Sequence, residues 1–229
     1  MKFAVIGATG YVGKAVVREL AARGHEVTAF ARHVEKVEKA PNVNAVAADV
    51  NATGFAEKIK GYDAVVSAYH PGWTTQNIGP NYAQGEDSIV TAARAADVPY
   101  LLIVGGAGCL FIDGKGTRLY ETPDFHKEIW PTSNSATKLL LSLEKQKSPK
   151  WSFVCPAALL GVTGNYSEER KGKYRLGGHD LLMAANGAPA GKRRPCRDQR
   201  CRSCNRDRRR RREERTPLRL LDRCRLRNR

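Results

Sequence analysis

Short apolar runs alternate along the chain with segments whose apolar residues recur every three or four positions. The runs predict strands at residues 3–6, 26–31, 43–48, 62–68, 100–104 and 151–155, buried on both faces of a sheet. The periodic segments predict helices at residues 13–23, 55–60, 82–96 and 136–145. This alternation continues to about Gly161 and indicates an α/β fold with a doubly wound parallel sheet.

Three glycines spaced three apart follow the first strand, in the stretch KFAVIGATGYVG. Gly7, Gly10 and Gly13 occupy positions where a tight turn, a close approach to a pyrophosphate and close packing of helix on strand would each exclude a Cβ. Gly24 is placed to end the helix that follows. The motif opens a helix directly after a strand, so it predicts dinucleotide binding on a Rossmann-type sheet.

Charge divides the chain into two parts. Residues 191–229 hold 18 of the 39 Lys and Arg residues but 5 of the 23 Asp and Glu residues. No period of 2 or 3.6 can be followed beyond Asn186-Gly187, and residues 173–176 and 180–184 predict a last hairpin before that point. We therefore expect a dinucleotide-binding domain over residues 1–187 and a disordered basic tail over residues 188–229.

No apolar run is long enough for a membrane helix, and the first residues lack the pattern of a signal sequence, so a cytoplasmic protein is expected. Cys109 and Cys155 lie in or beside predicted strands, as small buried hydrophobic residues do. Neither disulfides nor a metal site is expected in the folded part.

Arg32 follows the second strand, where an NAD enzyme usually has an acid for the ribose hydroxyls. An arginine there suits the 2′-phosphate of NADP, so NADP is the expected cofactor and NAD the alternative; a solvated surface arginine is the structural alternative. Asp49 follows the third strand, where it is either an acceptor for the adenine amino group or a loop cap.

A proton donor of the Tyr-Lys type needs Lys four residues after Tyr on one helix, and none of the eight tyrosines has it. His70 and His126 are the titratable alternatives, because both lie in loops predicted at the ligand side of the sheet. Ser67 and Cys109 are expected to line the cofactor pocket without reacting. Trp73 and Phe125 are either stacking platforms for a planar acceptor or parts of a core or lid.

Several stretches of residues 1–187 together resemble the atypical short-chain dehydrogenase/reductase group of NAD(P)H-binding proteins and NADH-flavin reductases: KFAVIGATGYVG, YDAVVSAYHPG, YLLIVGGAGCL, TPDF, SFVCPAALL and GKYRLGG. The resemblance implies a Rossmann fold that binds NAD(P)H, with Arg32 at the adenosine end. It also implies that Ala68, Gly105 and Gly106 lie along the cofactor, and that the pyrophosphate lies over Gly7, Thr9, Gly10, Tyr11 and Val12.

The resemblance stops after Asn186-Gly187, where members of the group continue with a Ser-Val-x-Asp-Tyr-Ala-like segment, a helix and a closing strand. Three interpretations of the Arg-rich tail remain open. Its Arg, Cys, Pro and Ser composition is typical of a GC-rich coding sequence translated out of frame. A basic run also suits non-specific binding of nucleic acid, and the spacing of its four cysteines is similar to that of iron–sulfur ligands.

The function expected from these residues is NAD(P)H-dependent transfer of hydride to a small conjugated acceptor such as a flavin or quinone. A flavin accepts hydride at its own ring, so such a reaction needs no Tyr-Lys pair. A non-catalytic NADP(H) sensor acting through a partner protein is the first alternative. A sugar-nucleotide epimerase or dehydratase is the second, and the missing Tyr-Lys pair disfavours it.

Overall fold

The computed structural model describes residues 1–113, 116–158, 160, 170 and 172–182. Six strands form one parallel sheet: β1 (Lys2–Ile6), β2 (Glu26–Ala31), β3 (Val43–Ala47), β4 (Ala64–Ser67), β5 (Tyr100–Val104) and β6 (Lys150–Val154). The longer helices are α1 (Tyr11–Ala22), α3 (Ile78–Ala95) and α4 (Trp130–Leu143), and α2 (Phe55–Lys58) is a single turn. The predicted α/β Rossmann-type fold is confirmed.

The strand order is β3-β2-β1-β4-β5-β6, so the direction of winding reverses between β1 and β4. Ile6, the last residue of β1, pairs with Phe30 on one side and Ser67 on the other. In open α/β sheets, ligands bind outside the carboxyl ends of the strands at this point of reversal. The fold therefore places the crevice between the segments that follow β1 and β4.

Alternate residues of the central strands fill two cores, one on each face of the sheet. Ala4 and Ile6 contribute to the core beneath α3 and α4, and Phe3 and Val5 to the core beneath α1. All four side chains are almost completely buried. Both faces are covered, which explains why the strands appear in the sequence as continuous apolar runs.

Three helices begin earlier than their apolar period predicts. Gly10 has extended backbone and caps α1, so the helix begins at Tyr11 and not at Gly13. Pro80 and Pro131 lie in the first turns of α3 and α4, where a missing N–H is tolerated. Gly24 has a positive φ of 77° just beyond α1, as its predicted role as a helix end requires.

The predicted hairpin over residues 173–184 is wrong for the residues that the structure describes. The Phe111 amide donates to the His179 carbonyl at 2.9 Å, and the Leu181 amide donates to the Phe111 carbonyl at 2.7 Å. Residues 179–181 thus pair with the loop after β5, because that loop offers free backbone groups. The predictions for the tail lie outside the described residues. No helix of the described part is long and apolar enough to span a membrane.

Candidate functional site

The glycine turn is shaped by two contacts that leave no room for side chains. Gly7 has a φ of +74°, and a Cβ on it would lie 2.3 Å from the carbonyl oxygen of Ala68. A Cβ on Gly13 would lie 2.1 Å from the carbonyl oxygen of Gly7. These two glycines therefore allow the turn after β1 to pack against the segment after β4 and against α1.

Gly10 differs from its two neighbours because it is exposed, and a Cβ on it would meet only the Gly7 oxygen, at 3.2 Å. No side chain caps α1, whose residues are all described, and its first turn contains no acid. The first amides of α1 and the positive end of its dipole thus face the crevice without a competing carboxylate. This arrangement fits an anion such as a pyrophosphate.

The end of the crevice that is predicted to hold adenosine is formed by residues that follow β2, β3 and β4. Arg32 Nη2 donates to the Pro71 carbonyl at 3.2 Å, so the guanidinium reaches from the end of β2 to the loop after β4. Asp49 Oδ1 accepts the Asn51 amide at 2.9 Å, so Asp49 caps its own turn. Burial raises the pKa of the Tyr69 phenol; the nearby Arg32 charge opposes this rise, and Glu86 and Asp49 add to it.

The remaining predicted cofactor residues lie along the same edge. The Ala68 amide donates to Ile6 at 2.9 Å, and the Gly105 amide donates to Val154 at 2.9 Å, so both extend the pairing of the sheet. Gly106 is open, with nothing within 4 Å of a Cβ built on it. Thr9 and Val12 are half-buried, whereas Tyr11 is exposed on the first turn of α1. The structure brings these residues to one edge; their contacts with a cofactor remain a prediction.

His70 is held in the loop after β4 by two contacts. Its Nδ1 accepts the Gly72 amide at 3.1 Å, which leaves the proton of a neutral ring on Nε2. Its ring lies 4.3 Å from the ring of Trp73, centroid to centroid. Nε2 is buried and has no hydrogen-bond partner among the described residues. Burial lowers the pKa of His70, so the neutral ring dominates near pH 7.

His126 has a different environment. It lies exposed in the turn before α4, and its side chain has no hydrogen-bond or ion-pair partner in the part of the chain that the structure describes. Of the two predicted histidines, His70 alone packs against side chains of the crevice.

A buried carboxyl group lies beneath the crevice. Glu86 projects from α3 with 0% of its surface exposed, and its Oε1 accepts the Ser67 hydroxyl at 2.9 Å. The Tyr69 amide donates in turn to Ser67 Oγ at 3.3 Å. Glu86 Oε2 has no partner among the described residues, and neither has the hydroxyl of Tyr82, one helical turn earlier on α3.

Glu86 is protonated at neutral pH for a physical reason. Burial disfavours the charged form of Glu86 and raises its pKa to about 8. The hydrogen bond from Ser67 lowers this pKa, and the negative charge of Asp87 raises it further. The proton lies on a carboxyl whose second oxygen is free to donate. Ring centroids of Tyr82 and His70 are 6.4 Å apart, so Tyr82 lies between the helical turn of Glu86 and the loop of His70.

Sequence analysis missed Glu86 and Tyr82, and it placed Ser67 in the wrong role. Ser67 is completely buried and bonded to Glu86, so it does not line the pocket. The helical period could have indicated both residues, because one buried face of α3 contains Tyr82, Glu86, Ile89 and Ala93. A glutamate on an otherwise apolar face is rarely left without a partner.

Comparisons with known proteins agree with this architecture. A family model described as NAD(P)H-binding matches residues 7–186. The uncharacterized protein YwnB of Bacillus subtilis is 36% identical over 188 residues, which is 82% of this chain and 84% of YwnB. Two solved structures are each 34% identical and cover 82% of this chain. A proposed epimerase from Bacteroides thetaiotaomicron has a TM-score of 0.71 over 82% of its own chain. A proposed NADH-flavin reductase from Streptococcus pneumoniae has a TM-score of 0.67 over 84% of its own chain.

Proposed function

Because the chain belongs to the NAD(P)H-binding family, we propose that it is an NADPH-dependent reductase of small conjugated acceptors such as flavins or quinones. The observation that carries this proposal is the turn at Gly7–Gly13, which leaves the amides of α1 open at the point where the sheet reverses. The S. pneumoniae relative, described as a proposed NADH-flavin reductase, supports the choice of acceptor.

In this proposal, the glycine turn holds the pyrophosphate and Arg32 binds the 2′-phosphate. When bound, NADPH supplies the hydride. Asp49 would be available to the adenine, and Ala68, Gly105 and Gly106 would line the rest of the cofactor. The fit rests on this chain's own geometry, since the turn excludes side chains and contains no acid that would repel phosphate.

Glu86 is the proposed source of the proton that a reduced acceptor takes up. The carboxyl holds a proton near pH 7, and its Oε2 and the Tyr82 hydroxyl each lack a hydrogen-bond partner among the described residues. Tyr82 relays the proton toward the His70 side of the crevice, and solvent then restores it to Glu86. This role replaces the missing Tyr-Lys pair.

Steady-state oxidation of NADPH with a panel of flavins and quinones tests the function. We expect turnover with at least one acceptor, and the absence of turnover with every acceptor would favour the sensor. For the proton source, Glu86→Gln should reduce kcat about 100-fold without changing NADPH affinity. Glu144→Gln is the matched control, because it makes the same change at an exposed position. A Glu86→Gln variant that folds and keeps an unchanged kcat would exclude the relay.

An epimerase is the second candidate, favoured by the 34% identity to the B. thetaiotaomicron protein. Epimerases of the Tyr-Lys type need a pair that this chain lacks. Incubation with sugar nucleotides and NAD, followed by chromatography of the sugars, separates the two functions: an interconverted sugar supports the epimerase, and unchanged sugars with NADPH turnover support the reductase.

A further inference from the structure

Two cysteines meet where β5 and β6 end. These strands are parallel neighbours with Val104 paired to Val154, so Cys155 follows β6 directly at the carboxyl edge of the sheet. A short 3-10 turn, Ala107–Cys109, carries Cys109 back over the end of β5. Both thiols are free, and they pack in one cluster with Tyr82 and Ala136.

The surroundings of Cys109 stabilise a thiolate. The Cys155 thiol hydrogen-bonds to its sulfur, the Thr137 hydroxyl donates to Sγ at 3.5 Å, and the Gly106 amide and the Arg118 charge add to this effect. Together these contacts outweigh burial and lower the pKa of Cys109 to about 7. The hydrogen bond to Cys109, with burial, raises the pKa of Cys155. Near pH 7 the cluster thus contains a partly ionised Cys109 beside a protonated Cys155.

We propose that Cys109 and Cys155 form an oxidation site for small peroxides. The Cys109 thiolate attacks one oxygen of hydrogen peroxide, so that the O–O bond breaks, hydroxide leaves and sulfenic acid forms. The Cys155 thiol then attacks the sulfenic sulfur, water leaves and an intramolecular disulfide forms. The two thiols lose two electrons in total, and the peroxide is reduced to two waters after hydroxide takes up a proton.

The burial of Cys109, the attacking thiol, limits the class of oxidant, whereas Cys155 is half-buried. Cys109 is 1% exposed, which excludes bulky disulfides such as oxidised glutathione from its sulfur. A cysteine with a pKa near 7 is about half thiolate at pH 7, roughly tenfold more than an ordinary cysteine. Size and charge together favour peroxide over thiol–disulfide exchange as the route to the oxidised form.

The test uses the full chain with Cys196, Cys201, Cys204 and Cys224 replaced by Ser, so that only the two core thiols react. The protein is exposed to hydrogen peroxide at pH 7, and intact mass and non-reduced peptides are measured. We expect a loss of two hydrogens, a Cys109–Cys155 cross-linked peptide and reversal by dithiothreitol. Oxidised glutathione should produce neither the bond nor a mixed disulfide.

Single variants assign the roles. In Cys155→Ser, Cys109 should form a sulfenic acid that dimedone traps. In Cys109→Ser, Cys155 should react with peroxide about tenfold more slowly than Cys109 does in Cys155→Ser. Thr137→Val, which keeps the side-chain shape, should slow the oxidation of Cys109 in the otherwise intact pair.

Two results would overturn the site: a mass unchanged under peroxide that fully oxidises free glutathione at the same pH, or oxidised products without the cross-linked peptide. Peptide mapping of the protein with both core cysteines intact tests the site even where a single variant does not fold. None of these measurements requires turnover of NADPH, so they stand apart from the proposed reductase activity.

Discussion

The two halves of the crevice differ in how their important residues are distributed along the chain. On the adenosine side, the glycine turn and Arg32 lie within the first 32 residues and close to strand ends. On the side proposed for the acceptor, the residues lie beneath the crevice: Ser67, Glu86 and the two cysteines come from β4, α3 and the ends of β5 and β6. The first half is a local motif, whereas the second exists only once the sheet has formed.

The largest effect that we expect concerns the acceptor side and the pH dependence of stability. The pKa of Glu86 is about 8 in the folded protein and 4.5 in the unfolded chain, where the side chain is solvated. The unfolded chain therefore binds fewer protons between these values, so stability falls as pH rises from about 4.5 to about 8 and is then level. Glu86→Gln removes this loss and should be more stable than the parent by roughly 5 kcal/mol at pH 9.

Urea unfolding across this pH range measures the difference, with Glu144→Gln as the control for a surface carboxyl. At pH 4 the parent and Glu86→Gln should have similar stability, because the amide keeps the acceptor for Ser67. Parallel curves for the two proteins from pH 4 to 9 would show that Glu86 is ionised when folded.

On the adenosine side, two neighbouring glycines should respond in opposite ways. Gly13→Ala places a methyl group 2.1 Å from a backbone oxygen and should cost about 3 kcal/mol or more of folding stability. Gly10→Ala meets only the Gly7 oxygen at 3.2 Å, so it should fold but lose NADPH binding. Thermal unfolding and calorimetric titration measure the two effects. Undiminished NADPH affinity in folded Gly10→Ala would make the turn structural only.

Cofactor choice depends on one side chain in our proposal. Arg32→Ala should weaken NADPH binding by about 1.5–3 kcal/mol, the value of a charge-assisted hydrogen bond, and leave NADH binding nearly unchanged. Titration of both nucleotides against both proteins gives the result. Equal affinities for NADPH and NADH in the unmodified protein would remove the argument.

The smallest effect on stability is expected at Tyr82. Its hydroxyl is buried without a partner among the described residues, so Tyr82→Phe should leave stability unchanged or raise it by about 1 kcal/mol. The same variant should slow turnover at neutral pH if the hydroxyl relays the Glu86 proton. A loss of stability without a change in kcat would assign Tyr82 to structure.

The sequence was sufficient for the fold and for the position of the crevice, because β1 and the glycine turn follow rules that act over a few residues. It was insufficient at the helix starts, because α3 and α4 begin at Ile78 and Trp130, before the apolar periods that predict them. The hydrogen bond from Ser67 to Glu86 joins residues 19 positions apart, and Cys109 meets Cys155 across 46 positions. Such contacts depend on the order of the strands, which periodicity does not encode.

The contact between His70 and Trp73 also gives the molecule an optical property. Trp73 is 60% exposed, with its ring 4.3 Å from an imidazole whose Nδ1 is occupied by the Gly72 amide. A protonated imidazole quenches indole emission, so the fluorescence of Trp73 follows the charge of His70. Its emission should remain bright at neutral pH and dim only in acid, because burial lowers the pKa of this histidine. A molecule that enters the crevice and separates the two rings would raise the emission in acid, without any label.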